Sequence, residues 1–260
     1  YPDVRLVGCD MSLNSLAFHY FDNCRTVSAA ASSAWESEIL ACAEEYQVDA
    51  IIPMSEAELQ KLVESGYSTH IHNTALLKAN NFAISTGLDK WGTYQLLSKF
   101  GVGVADTQLF SENSGWEPPL VVKPRFGRGS KSVKVITSQK DFPTDISSSD
   151  AENWLCQELL HPRDEEYTCG VFRSSNGGVR SIILKRKLSN GITSEGTVCY
   201  SDEIEELLLK VAHVTELVGS INVQLILTEN GPKVFEINPR FSSTVMFRHK
   251  LGFCDVLWSL

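Results

Sequence analysis

Apolar runs and helical stripes alternate over the first part of the chain. Val4-Arg5-Leu6-Val7-Gly8-Cys9-Asp10 is a short apolar run closed by Gly and Asp, the pattern of a buried strand. Glu36 to Tyr46 has helical spacing, with Ile39, Leu40, Ala43 and Tyr46 on one face. Ala50-Ile51-Ile52-Pro53 reads as a second short strand, and a helix starting near Ser55 carries Leu59, Leu62 and Val63. Strands alternating with helices predict a small parallel α/β domain over residues 1–75.

The pattern then changes. Asp89 to Phe100 is helical, with Gly101 placed to end it. Leu120-Val121-Val122-Lys123 and Ser132-Val133-Lys134-Val135-Ile136 are extended runs on either side of the glycine-bearing Arg125-Phe126-Gly127-Arg128-Gly129-Ser130-Lys131. Lys140 to Asp150 is a polar, Ser-rich connection, and Trp154–Leu160 and Tyr167–Phe172 have the look of strands. Asp202 to Val218 predicts a helix, with an Asp202/Glu205 capping box, an apolar stripe of Ile204, Leu207, Leu208, Val211 and Val218, and Gly219 as its stop. Ile221–Leu227 and Lys233–Asn238 are strands joined through Asn230-Gly231, a strong hairpin signal.

That hairpin carries the most chemistry. With the turn centred on Asn230, Gln224 stands opposite Glu236 and Asn222 opposite Asn238, with Arg240 just beyond. Val223, Leu225, Phe235 and Ile237 then fill the other face. One carboxylate among amide oxygens suits Mg²⁺ when substrate phosphates supply the remaining ligands, whereas an ordinary solvated face carries Lys, Thr and Glu instead. The glycine loop is no Walker loop, because Gly129-Ser130-Lys131-Ser132 leads into a strand. Taken alone it is equally a plain surface hairpin or a loop whose N–H groups fold over phosphates. Lys90, Lys123, Glu158 and Glu166 are candidates of the same kind. An isolated lysine is usually a surface charge, but Lys123 ends an apolar strand just before the glycine loop.

Composition narrows the classes. A net charge of −9 provides no basic stripe for nucleic acid or an anionic membrane, and no apolar run approaches the ~20 residues of a membrane span. Seven widely spaced cysteines without a CxxC fit neither a disulfide framework nor a zinc site. They read as reduced, small hydrophobes of a cytoplasmic protein. The chain starts at Tyr1 in mid-pattern and stops at Leu260 after an apolar run, so we expect it to continue at both ends.

From about residue 80 onward, Val121-Val122-Lys123-Pro124 with its glycine loop, Gln157-Glu158-Leu159, Glu165-Glu166-Tyr167-Thr168, Asn222-Val223-Gln224 and Phe235-Glu236-Ile237-Asn238-Pro239-Arg240 follow in an order that resembles the ATP-grasp superfamily, closest to its carbamoyl-phosphate-synthetase-like branch. Ile52-Pro53-Met54-Ser55-Glu56 resembles the end of the small domain that precedes such domains. The resemblance implies an α+β ATP-grasp fold within the α/β class over residues 76–260, with a lid at about 115–185. It implies ATP and one or two Mg²⁺ ions, with Mn²⁺ able to replace them. Lys90 and Lys123 would contact ATP phosphates, with Gly127, Gly129 and Ser130 closing over them. Gln157, Glu158 and Leu160 would form the adenine hinge, and Glu166 would hold the ribose. Gln224, Glu236 and Asn238 would ligate metal, and Arg240 would steady an acyl phosphate. Two departures separate the chain from true carbamoyl-phosphate synthetases: Thr193 follows Gly191-Ile192 where they place a His, and Ser243 stands in place of a second Arg. The expectation is therefore a ligase joining a small carboxylate to an amine. The alternatives are a bicarbonate-activating enzyme of the carbamoyl-phosphate type and a non-catalytic nucleotide-binding module. A homo-oligomer is compatible with any of these.

Overall fold

The computed structural model describes residues 4–110, 115–127, 132–147, 149–189 and 192–260. Two compact units divide the chain, residues 1–77 and 78–260.

In the first unit β1 (Val7–Asp10) runs parallel to β2 (Asn23–Thr26). Helix α1 (Trp35–Glu45), β3 (Ala50–Ile51) and α2 (Glu56–Glu64) follow, then β4 (His70–Ile71) and β5 (Thr74–Leu76). Ser55 caps α2 by accepting from the Glu58 N–H while the Glu58 carboxylate returns to the Ser55 N–H, which satisfies two otherwise open donors. Trp35 and Ile39 of α1, Leu62 of α2 and Ile71 pack into one core. The expected parallel layer is only partly realised. β3 and β5 are parallel, but β4 joins β5 antiparallel, because the chain reverses at His72, which sits at φ +50°.

The second unit opens with α3 (Asn81–Leu88) and α4 (Lys90–Lys99), followed by β6 (Thr107–Leu109), β7 (Leu120–Pro124), β8 (Lys134–Ile136) and β9 (Trp154–Glu158). These four strands form one antiparallel sheet in the order β6-β9-β7-β8, over a core containing Leu120, Val122, Ile136 and Cys156. Next come β10 (Glu166–Arg173), β11 (Val179–Ser189), β12 (Ile192–Cys199), α5 (Asp202–Val214), β13 (Gly219–Thr228) and β14 (Gly231–Asn238). The five strands make a second antiparallel sheet, β12-β11-β10-β13-β14. Two short helices, α6 (Val245–Lys250) and α7 (Asp255–Trp258), end the described chain. The expected lid span of about 115–185 thus straddles both sheets, because β10 pairs with β13 rather than with β9.

Helix α5 buries Ile204, Leu207, Leu208 and Val211 and touches β10, β11 and β14. Its cap is Ser201, whose hydroxyl accepts from the Ile204 N–H, and not Asp202. Asp202 already lies in the first turn, where its charge complements the helix dipole. The helix also stops at Val214, four residues before the expected end, and Glu216 takes the left-handed turn at φ +49°.

Register decides what the β13–β14 hairpin presents. The turn is two residues, Glu229-Asn230, with Thr228 paired to Gly231 and Gly231 at φ +97°. Pairing runs regularly to Leu225↔Val234 and then slips by one residue, so that Gln224 pairs with Glu236 and Asn222 with Asn238. The expected pairs of the site form, but through a bulge at Phe235. Val223, Leu225, Val234 and Ile237 fill the core face. Phe235, expected there, is instead the extra residue, half-buried against Ala105, Leu160 and Ile226.

Candidate functional site

Three elements bring Lys90, Lys123 and Glu236 together. Lys90 is the first residue of α4, and Asp89 caps that helix by accepting from the Trp91 N–H. The same Asp89 carboxylate takes a two-pronged ion pair from Arg125, at 2.8 and 2.7 Å, so the start of α4 is tied to the end of β7. Lys90 Nζ donates to the Gly127 carbonyl at 2.7 Å and stands 3.8 Å from a Glu236 carboxylate oxygen. Lys123, on β7, reaches from one sheet to the other. Its Nζ donates to Gln157 Oε1 at 2.7 Å and to the bulged Phe235 carbonyl at 2.9 Å. Only 5 % of Lys123 is exposed, and burial pushes its amine down to about 8; Glu236 opposes that shift and Lys90 adds to it.

The segment 157–160 is placed by contacts of the same kind. Gln157 is buried and donates to Thr107 Oγ1 at 2.9 Å, which fixes its oxygen toward Lys123. Glu158 is bound by Lys233 Nζ at 2.8 and 3.1 Å and accepts from the Asp106 N–H at 3.2 Å. Leu160 is buried beside Phe235 and Ile226, and the Phe235 carbonyl joins this apolar cluster to Lys123. Gly127 adopts φ +102°, a conformation only glycine takes without strain. Gly129 and Ser130 lie outside the described residues.

On the five-stranded sheet one residue that the sequence pattern did not single out joins two that it did. Arg186, on β11, donates through Nε to Glu166 Oε1 at 2.9 Å and through Nη2 to the same oxygen, and Nη2 also reaches Gln224 Oε1 at 3.1 Å. A cavity of about 580 Å³ opens beside Glu166 and Arg186, with Arg163 and Thr197 among its walls. The sequence signal hid in Lys185-Arg186-Lys187, which reads as a solvated charge run, although strand alternation separates the middle residue from its neighbours.

Among the described residues, no group of three or more His, Cys, Asp and Glu side chains stands together as a metal site. An ion here would rely on the Glu236 carboxylate, the Gln224 and Asn238 amides and substrate oxygens. Glu236 and Asn238 fit that use, whereas the Gln224 oxygen accepts from the Arg186 guanidinium. The Asn238 Nδ2 is buried without a hydrogen-bond partner among the described residues, so that end of the amide is open. Exchanging the two ends of the amide would present its oxygen at that spot. Glu236 is partly exposed. Arg240, half-buried just past the strand, donates to the Phe241 carbonyl at 3.1 Å.

Two antiparallel sheets thus meet at a cluster of cationic and carboxylate side chains. The chain belongs to the ATP-grasp family, whose sequence profile for the ATP-grasp domain matches residues 88–244. It is 25 % identical over 186 residues to the multifunctional protein pyr1-3 of Dictyostelium discoideum, covering 66 % of this chain and 8 % of that one. It is also 25 % identical over 145 residues to the carbamoyl phosphate synthase large chain of Vibrio cholerae serotype O1, covering 51 % and 14 %. The chain therefore spans a small part of the curated relatives it matches. In fold it resembles N5-carboxyaminoimidazole synthetase from Staphylococcus aureus complexed with ADP, at TM-score 0.75 and 17 % identity over 98 % of this chain and 70 % of that one.

Proposed function

We propose that the protein uses ATP to activate a small carboxylate as an acyl phosphate and passes the acyl group to an amine. The observation that carries this reading is the meeting of Lys90, Lys123 and Glu236 from α4, β7 and β14. Two ammonium groups beside one carboxylate suit a polyphosphate better than a neutral ligand. A carboxylate oxygen would attack the γ-phosphorus as the bond to the ADP oxygen breaks. The amine nitrogen would then attack the acyl carbon, lose a proton and expel phosphate. Lys123 and Lys90 would hold phosphate oxygens, and Arg240 would bind the anion as charge builds at the reacting end. The hinge Gln157–Leu160 would receive adenine against Leu160 and Phe235, and Glu166 the ribose hydroxyls. Gln224, Glu236 and Asn238 would hold Mg²⁺, or Mn²⁺ in its place, and such an ion neutralises phosphate charge when bound.

In the same reading residues 1–77 are the small domain that precedes an ATP-grasp domain. The lid is the four-stranded sheet β6–β9 with the glycine loop between β7 and β8. Among the described residues no helix is long and apolar enough to cross a membrane. Thr193 and Ser243, in place of His and Arg, favour an organic acid over bicarbonate. The experiment is a thermal-shift screen of amino acids and small carboxylates with Mg²⁺ and a non-hydrolysable ATP analogue, followed by phosphate release from ATP with each hit. An acid-dependent and amine-dependent release of phosphate is expected. ATP consumption with bicarbonate alone would move the reading to the carbamoyl-phosphate type. Nucleotide binding with no turnover in any mixture would make the chain a binding module.

A further inference from the structure

Arg248, on α6, is a buried charge that the proposed chemistry does not use. It has no exposed surface, and its guanidinium lies against the sheet face that also carries Asn222, Gln224, Glu236 and Asn238. Nη2 donates to Asn222 Oδ1, which also accepts from Thr168 Oγ1 at 2.9 Å. The space for it exists because residue 170 is glycine. A Cβ there would stand 2.8 Å from Arg248 Nη1 and 2.9 Å from Phe253 Cε1. The nearby negative charge is Asp255, itself buried and bonded to Ser220 Oγ at 2.7 Å. Arg248 Nε and Asp255 Oδ1 have no hydrogen-bond partners among the described residues.

A buried cation with incomplete hydrogen bonding is a poor device for stability alone, since an apolar side chain of similar volume often serves as well. Its position suggests another use. The chain from Asn238 to α6 is a short connection, and Arg240 lies within it. One end of the connection is held by β14. The other is held by Arg248, whose side chain is bonded to β13 and whose carbonyl accepts from the Leu251 and Phe253 N–H groups. Between them Ser242 and Thr244 are buried and bonded to each other at 3.0 Å.

We infer that Arg248 is a positioning residue that seats the Arg240 connection on the polar face of the five-stranded sheet. The proposal rests on the role given to Arg240 above. Displacing Arg248 loosens the connection and misplaces Arg240 while leaving the lysines, the hinge and the nucleotide untouched. A misplacement of about 1 Å can cost on the order of 100-fold in rate.

The test compares the parent with Arg248→Met/Asp255→Asn, which removes both buried charges together, with Gly170→Ala, which pushes the guanidinium aside but keeps it, and with Arg248→Lys. Two readouts are taken: hydrogen–deuterium exchange of the 239–247 amides, and kcat against KM for ATP. Faster exchange in 239–247, with kcat about 10- to 100-fold lower and KM for ATP within about threefold, is the expected result for the first two variants. Arg248→Lys should fall between them and the parent. Unchanged exchange in 239–247 in the double variant and in Gly170→Ala overturns the proposal, and so does a parental kcat in both. If the parent itself shows no turnover, the functional reading fails, and the exchange measurement still decides the role of Arg248.

Discussion

Burial sets the chemistry of Lys123. Its ammonium group is held between a side-chain amide and a main-chain carbonyl, two neutral acceptors, so the nearest full negative charge is Glu236. The folded value of about 8 lies below the free value of 10.5, so the amine is charged at pH 7 and loses its proton as pH rises through about 8. Between about 8 and 10.5 the unfolded chain binds more protons than the folded one, so this group's contribution to stability increases with pH across that window. Nucleotide affinity should move the opposite way. Calorimetric binding of a non-hydrolysable ATP analogue should weaken above pH 8, approaching tenfold per unit. Lys90→Met should shift that limb to higher pH, because it removes a repelling charge, and Glu236→Gln should shift it lower. An affinity flat from pH 7 to 9.5 would show that Lys123 does not bind the phosphates. Glu236 is partly exposed, so Glu236→Ala should abolish ATP turnover with a melting temperature within a few degrees of the parent. Glu236→Gln keeps the shape and removes the charge, and Mg²⁺-dependent nucleotide binding should weaken there too. Parental turnover in Glu236→Ala would remove the metal assignment.

At the scale of elements, the coupling between α4 and β7 depends on Asp89. Burial acts to raise its carboxyl, but the Arg125 guanidinium and the Gly92 and Trp91 N–H groups hold it below the usual aspartate range. Asp89→Ala removes a helix cap and half of a partly exposed ion pair, and about 1–2 kcal/mol of stability should be lost. It should also raise KM for ATP severalfold, because Lys90 is the next residue. Asp89→Asn keeps a capping oxygen but not the charge, so it should recover most of the melting temperature and little of the KM. Equal recovery of both would mean that the cap alone matters. How far such elements were legible depended on whether their signals were local. The hairpin could be read from Asn-Gly and from alternation, and its pairs Gln224↔Glu236 and Asn222↔Asn238 stand as parity requires. The bulge at Phe235 could not, because it answers to Lys123, more than a hundred residues away, which uses the bulged carbonyl. The strands Val179–Ser189 and Ile192–Cys199 went unread because a sheet shared with β10 stabilises sequences whose own pattern is mixed. With them Arg186 was missed, and with it the partner that Glu166 and Gln224 share.

Over the whole molecule, the proposed reading turns on which acid is activated. Lys90, Lys123 and the Gln224–Glu236 face all lie within one unit, residues 78–260, so the proposed acyl-transfer reading requires no residue from the first unit for its phosphoryl step. Under the proposed reading, what distinguishes this chain is Thr193 and Ser243. Thr193 is half-buried on β12, and Ser243 is exposed in the Arg240 connection, where the carbamoyl-phosphate pattern would put a His and a second cation. Carboxyphosphate carries an ionised carboxylate besides its phosphate charge and needs those cations more than an acyl phosphate with an organic side chain does. The isotope test separates the two. With an acid labelled with ¹⁸O in its carboxylate, an acyl-phosphate route breaks the acyl C–O bond and delivers one labelled oxygen to inorganic phosphate per turnover. The expected outcome is ¹⁸O in phosphate, ADP equal to amide formed, and no ATP use stimulated by bicarbonate. Amide formation with unlabelled phosphate would exclude phosphoryl transfer to the acid. Label appearing in AMP, with pyrophosphate released, would place the activation at the α-phosphorus instead, and the roles given to Lys90 and Lys123 would then have to be reassigned.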